Sequence, residues 1–482
     1  MKAIETSLIV KAINKLDVDE LKLNEIKNDS IVVKTLDKVI DKVQSCFHEI
    51  VKDSFLLKFI DYAIITLLTL ALASIPVTST GIIGGFVLLA FLAYLAKLLL
   101  VKGERPLITG FDAPILLYIS IAALSVAFSS LLVPSIKGYI KMLVYFGGYI
   151  AFVNVLKGNP RRIIYFMCVL ALTSSCESIY AIHQQIVGIE PLAGWQDRSN
   201  SNPEDLMDRV YGSLKPYNPN LLAGYLVATF PSSLGLAFLF LKRKNVRLSI
   251  ISFVSVLTIL AAIVFTGSRG AYIATAAMLA VFTAISGHII YNEYSDNKIL
   301  KYSWKYSIML GVLGVLGGIA SSSAIQHRIG SIFASRGDSS NSFRFNVYLS
   351  TFKMAMDNWL IGIGTGNKTF RLTYGLYMVT GYDALSAYNI LLEIFTEMGL
   401  FGLFAFVWIF AISFIKSIKA VISSIPIENK IIISSCILAI TGMLVHGMFD
   451  TIWFRPQVNM IFWLSVSILA VITHKGYRNE EA

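Results

Sequence analysis

The side chains able to do chemistry in this chain are polar residues set where hydrophobic runs end. The stretch Leu444–Pro456, LVHGMFDTIWFRP, places His446 and Asp450 four residues apart, with Arg455 just beyond. On a helix that spacing is about one turn, so the sequence predicts a carboxylate orienting an imidazole, a pairing suited to general-base work near neutral pH. A second group is Asn389, Glu393 and Glu397, at i, i+4 and i+8. These share one helix face, and two carboxylates in a membrane helix cost roughly 2.5–3.5 kcal/mol each when central. They are expected to look into the protein or a water-filled cleft.

The cationic candidates are arginines. Arg269 sits in a short turn, Thr266-Gly267-Ser268-Arg269-Gly270, whose glycines allow a tight bend and a close approach by an anion. The polar segment 324–388 carries Arg328, Arg336, Arg344 and Arg371, and Arg209 lies in another polar stretch, 188–220. Guanidinium groups fork onto phosphate or carboxylate oxygens. Glu177, Tyr180 and Gln184 share a face of a hydrophobic run near His183, and read as packing residues. The run Gly362–Asn367, GIGTGN, resembles a phosphate loop but does not follow a convincing strand–helix unit, so its glycines are expected to shape a turn. No HExxH and no Cys/His cluster occurs, so neither a metal nor another cofactor is expected. Cys46, Cys168, Cys176 and Cys436 form no CxxC and imply no disulfide framework.

The elements that must position these groups are membrane helices. Of 482 residues, 55% are hydrophobic and 15% charged, against roughly 25% charged in soluble domains. The expected fold is all-α and polytopic, with about twelve spans. They fall at 60–75, 82–101, 113–132, 138–156, 163–187, 221–241, 248–265, 271–290, 304–323, 389–415, 431–449 and 457–474. The first is short and could extend back through Phe55 and Leu56. Residues 1–58 form a tail with ten lysines and ten acidic residues and no apolar run long enough for a signal peptide. Leu36, Val39, Ile40 and Val43 predict an amphipathic helix there. The tail reads as solvated, or as a docking site for a cytoplasmic partner. Residues 59–475 form one membrane domain, with 476–482 as a short second tail.

Lysine and arginine set the expected orientation. Lys102 and Arg105, Lys157 to Arg162, Lys242 to Arg247, Lys298 to Lys305, and Lys416 to Lys430 all fall in alternate loops, on the side of both termini. Both termini are therefore expected on the cytoplasmic side of the membrane. The segments 188–220, 266–270 and 324–388 are then expected on the outer face.

Several of these stretches together resemble the O-antigen ligase and polymerase superfamily. They are RVYGSLKPYNPNLLAGYL at 209–226, TGSRGAY at 266–272, FRFNVYLSTFKMAMDNWLIGIGTGN at 343–367 and SAYNILLEIFTEMGLFG at 386–402. SIFASRGDSSNSFRFNV, the LSAY at 385–388 and LVHGMFDTIWFRP resemble in particular a cyanobacterial branch labelled as inorganic-carbon (bicarbonate) transporters. The resemblance covers about residues 190–470. It implies a metal-independent, inverting glycosyltransferase that takes glycan from a polyprenyl diphosphate carrier on the outer face, with Arg269 and Arg344 binding the diphosphate. Arg209 and Arg455 join them as anion-binding candidates. Ligases of the superfamily carry His before Asn where this chain has Tyr388-Asn389, and a phenol with an ordinary pKa near 10 is a poor base. Either His446 with Asp450, or Glu393, replaces that base, or the branch does not run ligase chemistry. The expected partners are membrane lipids and a lipid-linked glycan, or bicarbonate in the alternative reading of a transport protein. No nucleic acid is expected.

Overall fold

The computed structural model describes residues 16–18, 23, 25, 29–189, 208–332 and 339–474. Among them there is no strand, and the chain is an all-α polytopic membrane protein. The first helices are α1 (Ile31–Val51), α2 (Phe55–Lys58), α3 (Ile60–Ala73), α4 (Thr80–Leu100), α5 (Asp112–Ala127), α6 (Leu132–Leu156) and α7 (Pro160–Val187). There follow α8 (Pro219–Lys242), α9 (Val246–Phe265), α10 (Arg269–Glu293) and α11 (Lys298–Ala320). The last six are α12 (Ser323–Gly330), α13 (Ser339–Asp357), α14 (Asn367–Tyr374), α15 (Ile390–Ile422), α16 (Ile427–Gly447) and α17 (Pro456–Thr473).

Ten of these helices are long and apolar enough to cross a membrane, and α3 and α5 are shorter apolar helices. Together they account for the twelve spans expected from hydropathy. The first span does not extend back without interruption: Phe59 leaves helical geometry between α2 and α3. The polar segment 324–388 is not simply a loop, since it contains most of α12 and all of α13 and α14.

The centre of the bundle is built from α8, α16 and α17, the last with its whole length buried. Small residues let these helices touch. A Cβ on Gly235 of α8 would fall 1.9 Å from Ser435 Oγ of α16, and one on Gly442 of α16 would fall 2.5 Å from Met278 Sδ of α10. Without a hydrophobic drive between helices in lipid, such close backbone contact supplies the packing.

The glycine run at 362–366 is a packing device. Gly399 breaks α15, with φ 65°. The carbonyls of Thr396 and Glu397 accept the Ile363 and Gly364 amides at 3.0 and 3.1 Å, while the Leu400 amide donates to the Trp359 carbonyl. A kinked membrane helix is thus re-satisfied by a docked segment, as burial in lipid demands. No side chain fits there: a Cβ on Gly362 would meet the Glu397 carbonyl at 2.4 Å, and one on Gly364 would meet Ser135 Oγ at 1.9 Å.

A candidate active site of clustered arginines

The chemistry-bearing residues converge at one end of the bundle, where α8, α10 and α17 begin and α16 ends. They line a cleft of about 1610 Å³. Among the described residues six cationic side chains line it, Lys141, Arg209, Arg269, Arg328, Arg344 and Arg455, against a single carboxylate, Asp450. Its lining also includes apolar groups, among them Ile140 and Val144 of α6 and Leu221 of α8, with Gly81 and Gly84 of α4.

Four of the five arginines are held by their neighbours. α8 starts at Pro219, whose missing amide costs nothing at that position, and Asn218 caps it by accepting the Asn220 amide at 2.8 Å. The preceding loop is clamped onto α7. Glu177 accepts the Ser213 amide at 2.6 Å and its hydroxyl at 2.7 Å, and Gln184 exchanges hydrogen bonds with the Gly212 backbone. Gly212 has φ 64°, and a Cβ there would collide with the Glu177 carboxylate at 2.0 Å. This clamp fixes Arg209, which donates from Nε to the Thr266 carbonyl at 2.8 Å and from its terminal nitrogen to Asn220 Oδ1 at 2.6 Å. Burial, with Arg328 nearby, pushes the Arg209 guanidinium down to about 9, so it stays charged at neutral pH.

The turn before α10 is the hub of the cluster. Arg269 donates to the Ser331 carbonyl at 2.9 Å and to its hydroxyl at 3.2 Å, and Arg328 of α12 donates back to the Gly267 carbonyl at 2.7 Å. Two arginines are thereby locked to opposite partners across the same turn. Arg344 of α13 bonds Ser340 Oγ at 2.8 Å and approaches Asp450 Oδ2 at 3.7 Å; its buried Nε has no hydrogen-bond partner. Asn220 also donates to Asp450 Oδ2, at 2.5 Å. The chain Arg209–Asn220–Asp450–Arg344 therefore ties two cations through one carboxylate.

This arrangement corrects the expected His446–Asp450 pair. α16 ends at Gly447, so Asp450 lies beyond the last helical turn, where its Oδ1 accepts the Thr451 amide at 2.7 Å. His446 is fully buried, shares a 3.3 Å hydrogen bond between Nε2 and Ser268 Oγ, and leaves Nδ1 unpartnered. Its ring lies between two helix glycines. A Cβ on Gly270 would sit 2.8 Å from Cδ2, and one on Gly224 would sit 3.2 Å from Nδ1. Ser268, not Asp450, orients the imidazole.

Tyr388 and Asn389 do reach the cleft. Tyr388 takes φ 53°, a left-handed conformation uncommon for a bulky residue, and its carbonyl accepts the Tyr348 hydroxyl at 3.2 Å. Burial, reinforced by Asp450, pushes its phenol up to about 12. It is protonated at neutral pH, a poor starting state for a general base. Glu393 and Glu397 share the predicted face, yet they are buried at 1% and 2% exposure and do not line the cleft. Arg371 pairs with Asp383 at 2.6 Å, and both are exposed away from the cleft. Arg336 lies outside the described residues. Arg455 lines the cleft as the N-cap residue of α17.

Sequence reasoning did not single out Asn220, Ser268, Tyr348 or Lys141 as site residues. Asn220 and Ser268 lie inside the quoted motifs, and only their cross-chain partners reveal a role. Lys141 sits within a hydrophobic run and had no local signal.

A family model described as O-Antigen ligase matches residues 253–407, which run from within α9 into α15. The matched segment contains Arg269, Arg328, Arg344, Tyr388 and Asn389, whereas Arg209, His446, Asp450 and Arg455 come from outside it. No curated protein matches the chain. The matched segment and the cleft it half encloses support the O-antigen ligase superfamily, and an O-antigen ligase-like function in general, for this membrane protein.

Proposed function

We propose that the protein transfers or polymerises glycan from a polyprenyl-diphosphate donor, on the outer face of a bacterial plasma membrane. The observation that carries this reading is the excess of five positive charges in a cleft that is also lined by apolar side chains. A leaving diphosphate needs its developing negative charge stabilised, and preorganised guanidinium groups do so without a metal. The size also argues for a large substrate. A bicarbonate-sized anion is not far above the roughly 30 Å³ share of a water molecule, and about 1610 Å³ is far beyond its need. The outward placement rests on the lysine- and arginine-rich loops at the opposite end of the bundle.

In this reading the arginines grip the diphosphate, and an acceptor hydroxyl attacks the anomeric carbon. The bond from that carbon to the diphosphate oxygen breaks, with inversion, and the polyprenyl diphosphate leaves. The hydroxyl proton passes to His446, whose Nε2 side faces Ser268 at the cleft. Asp450 acts as a positioning residue, holding Arg344 and, through Asn220, Arg209. Glu393 is set aside because it lies off the cleft.

The test is direct. The full chain in lipid nanodiscs is given a polyprenyl-diphosphate oligosaccharide and an acceptor glycan. Elongated product and released polyprenyl diphosphate, both lost in Arg269→Lys and Arg344→Lys, are the expected result. Absence of product in the presence of bound donor would remove the transferase reading.

A further inference from the structure

α1 meets the membrane domain with the wrong face for an ordinary docked helix. At 100° per residue, Leu36, Val39, Ile40, Val43, Phe47 and Ile50 form a stripe about 100° wide, enough for a core-facing surface. Most of that stripe is turned away from the protein: Leu36, Val39, Phe47 and Ile50 are 55%, 53%, 44% and 75% exposed, while Ile40 and Val43 are half-buried. The contacts are made by the polar flank instead. Gln44, buried at 2%, donates to the Leu98 and Glu104 carbonyls at 2.7 and 3.2 Å and accepts the Gly103 amide at 3.0 Å. Arg105 pairs with Asp41 and lies 3.8 Å from Asp37. The lysines at 34, 38 and 42 lie across the helix from the apolar stripe and are exposed.

We infer that α1 is a membrane-surface helix, with this stripe sunk into the headgroup boundary of the bilayer beside α4. Three observations choose lipid over a protein partner. α1 packs against α4, a membrane span whose Leu88, Leu89, Leu92 and Leu99 are exposed. The chain leaves α1 straight into an exposed aromatic cluster, Phe55, Phe59 and Tyr62, with ring centroids 4.6 and 6.1 Å apart at the mouth of α3. Such rings favour the membrane–water interface. The charged residues sit on the opposite and inner sides, the arrangement of a helix lying in the interface plane. The loop that Gln44 grips, and from which Arg105 reaches Asp41, also anchors α4, because Lys97 pairs with Glu104 at 3.1 Å. α4 begins at the far end, with Gly81 and Gly84 in the cleft wall. The lipid-bound helix thus steadies one wall of the cleft from the opposite surface.

The experiment uses the full chain in phosphatidylcholine nanodiscs, with Cys46, Cys168 and Cys176 replaced by serine and the buried Cys436 kept. An environment-sensitive fluorophore is attached through Phe47→Cys or, on the opposite face, Ser45→Cys. The expected result is a blue-shifted emission at position 47, quenched by lipids spin-labelled near the headgroup and several-fold less by aqueous iodide than at position 45. Equal iodide quenching at both positions would overturn the proposal. So would a position 47 shielded from both quenchers, which would mean that protein covers the stripe. Ile50→Cys lies on the same stripe and repeats the measurement if Phe47→Cys fails to insert.

Discussion

Replacing Gly270 by alanine isolates the role of His446 without touching it. The added Cβ would sit 2.8 Å from His446 Cδ2 and 3.2 Å from Phe449 Cβ, where ordinary contact begins near 3.4 Å. The ring must therefore retreat by about 0.6 Å, toward Gly224 on its other side. That side is closed as well, because Ile452 packs on Gly224. Overpacking of this kind costs about 1–3 kcal/mol of stability. Misplacing a catalytic group by about 1 Å costs about 100-fold in rate, so a 0.6 Å retreat should lower kcat about tenfold, or about 1.4 kcal/mol. Donor affinity should hardly change, since the arginines are fixed by Ser331, Asn220 and Asp450 and not by the ring. The assay is single-turnover transfer from a lipid-diphosphate oligosaccharide, with donor binding measured separately. An unchanged kcat in a protein shown to be folded and inserted would refute His446 as the base. A raised donor Kd with unchanged kcat would refute it equally, by placing the ring in donor binding.

Four further outcomes follow from the same geometry. Asp450→Asn should weaken donor binding by about tenfold or more, because the charge that gathers Arg344 and Arg209 is removed and hydrogen bonds to charged groups contribute about 1.5–3 kcal/mol; a pure kcat effect with a shifted pH profile would instead restore a direct Asp450–His446 link. Tyr388→Phe should leave the pH–rate profile between about pH 6 and 9 unchanged, since the buried phenol is pushed up to about 12 and stays protonated throughout; a rate limb that vanishes in the variant would refute this. Gly362→Ala should prevent stable insertion or lower Tm sharply, because its Cβ would overlap the Glu397 carbonyl at 2.4 Å with φ at +83°; thermal unfolding in detergent reads it, and a wild-type Tm would mean the kink is not held by this segment. Cysteine introduced at Ser340 should react with a membrane-impermeant thiol reagent applied outside, and cysteine at Asn245 should not; the reverse pattern would place the cleft on the cytoplasmic side.

Hydropathy alone determined the class of this protein and nearly all its spans. A membrane helix must be apolar over its own length, and that is a local property. The arginines of the cleft were legible for a related reason. Charges beside apolar runs are costly unless they serve a site, so Arg209, Arg269, Arg344 and Arg455 stood out one by one. What the sequence could not supply was who faces whom. The spacing of His446 and Asp450 promised a pair, but α16 stops at Gly447 and the chain turns, which hands the imidazole to Ser268 and the carboxylate to Asn220 and Arg344. Those partners lie more than a hundred residues away along the chain. Glu393 and Glu397 read equally well as cleft residues or core residues, and only the packing of 359–366 into the kink at Gly399 showed Glu397 buried off the cleft. Periodicity fixes which residues share a helix face. Which neighbour that face meets is set by close helix contacts, such as those of Gly224 and Gly270 against His446, and these belong to the tertiary structure.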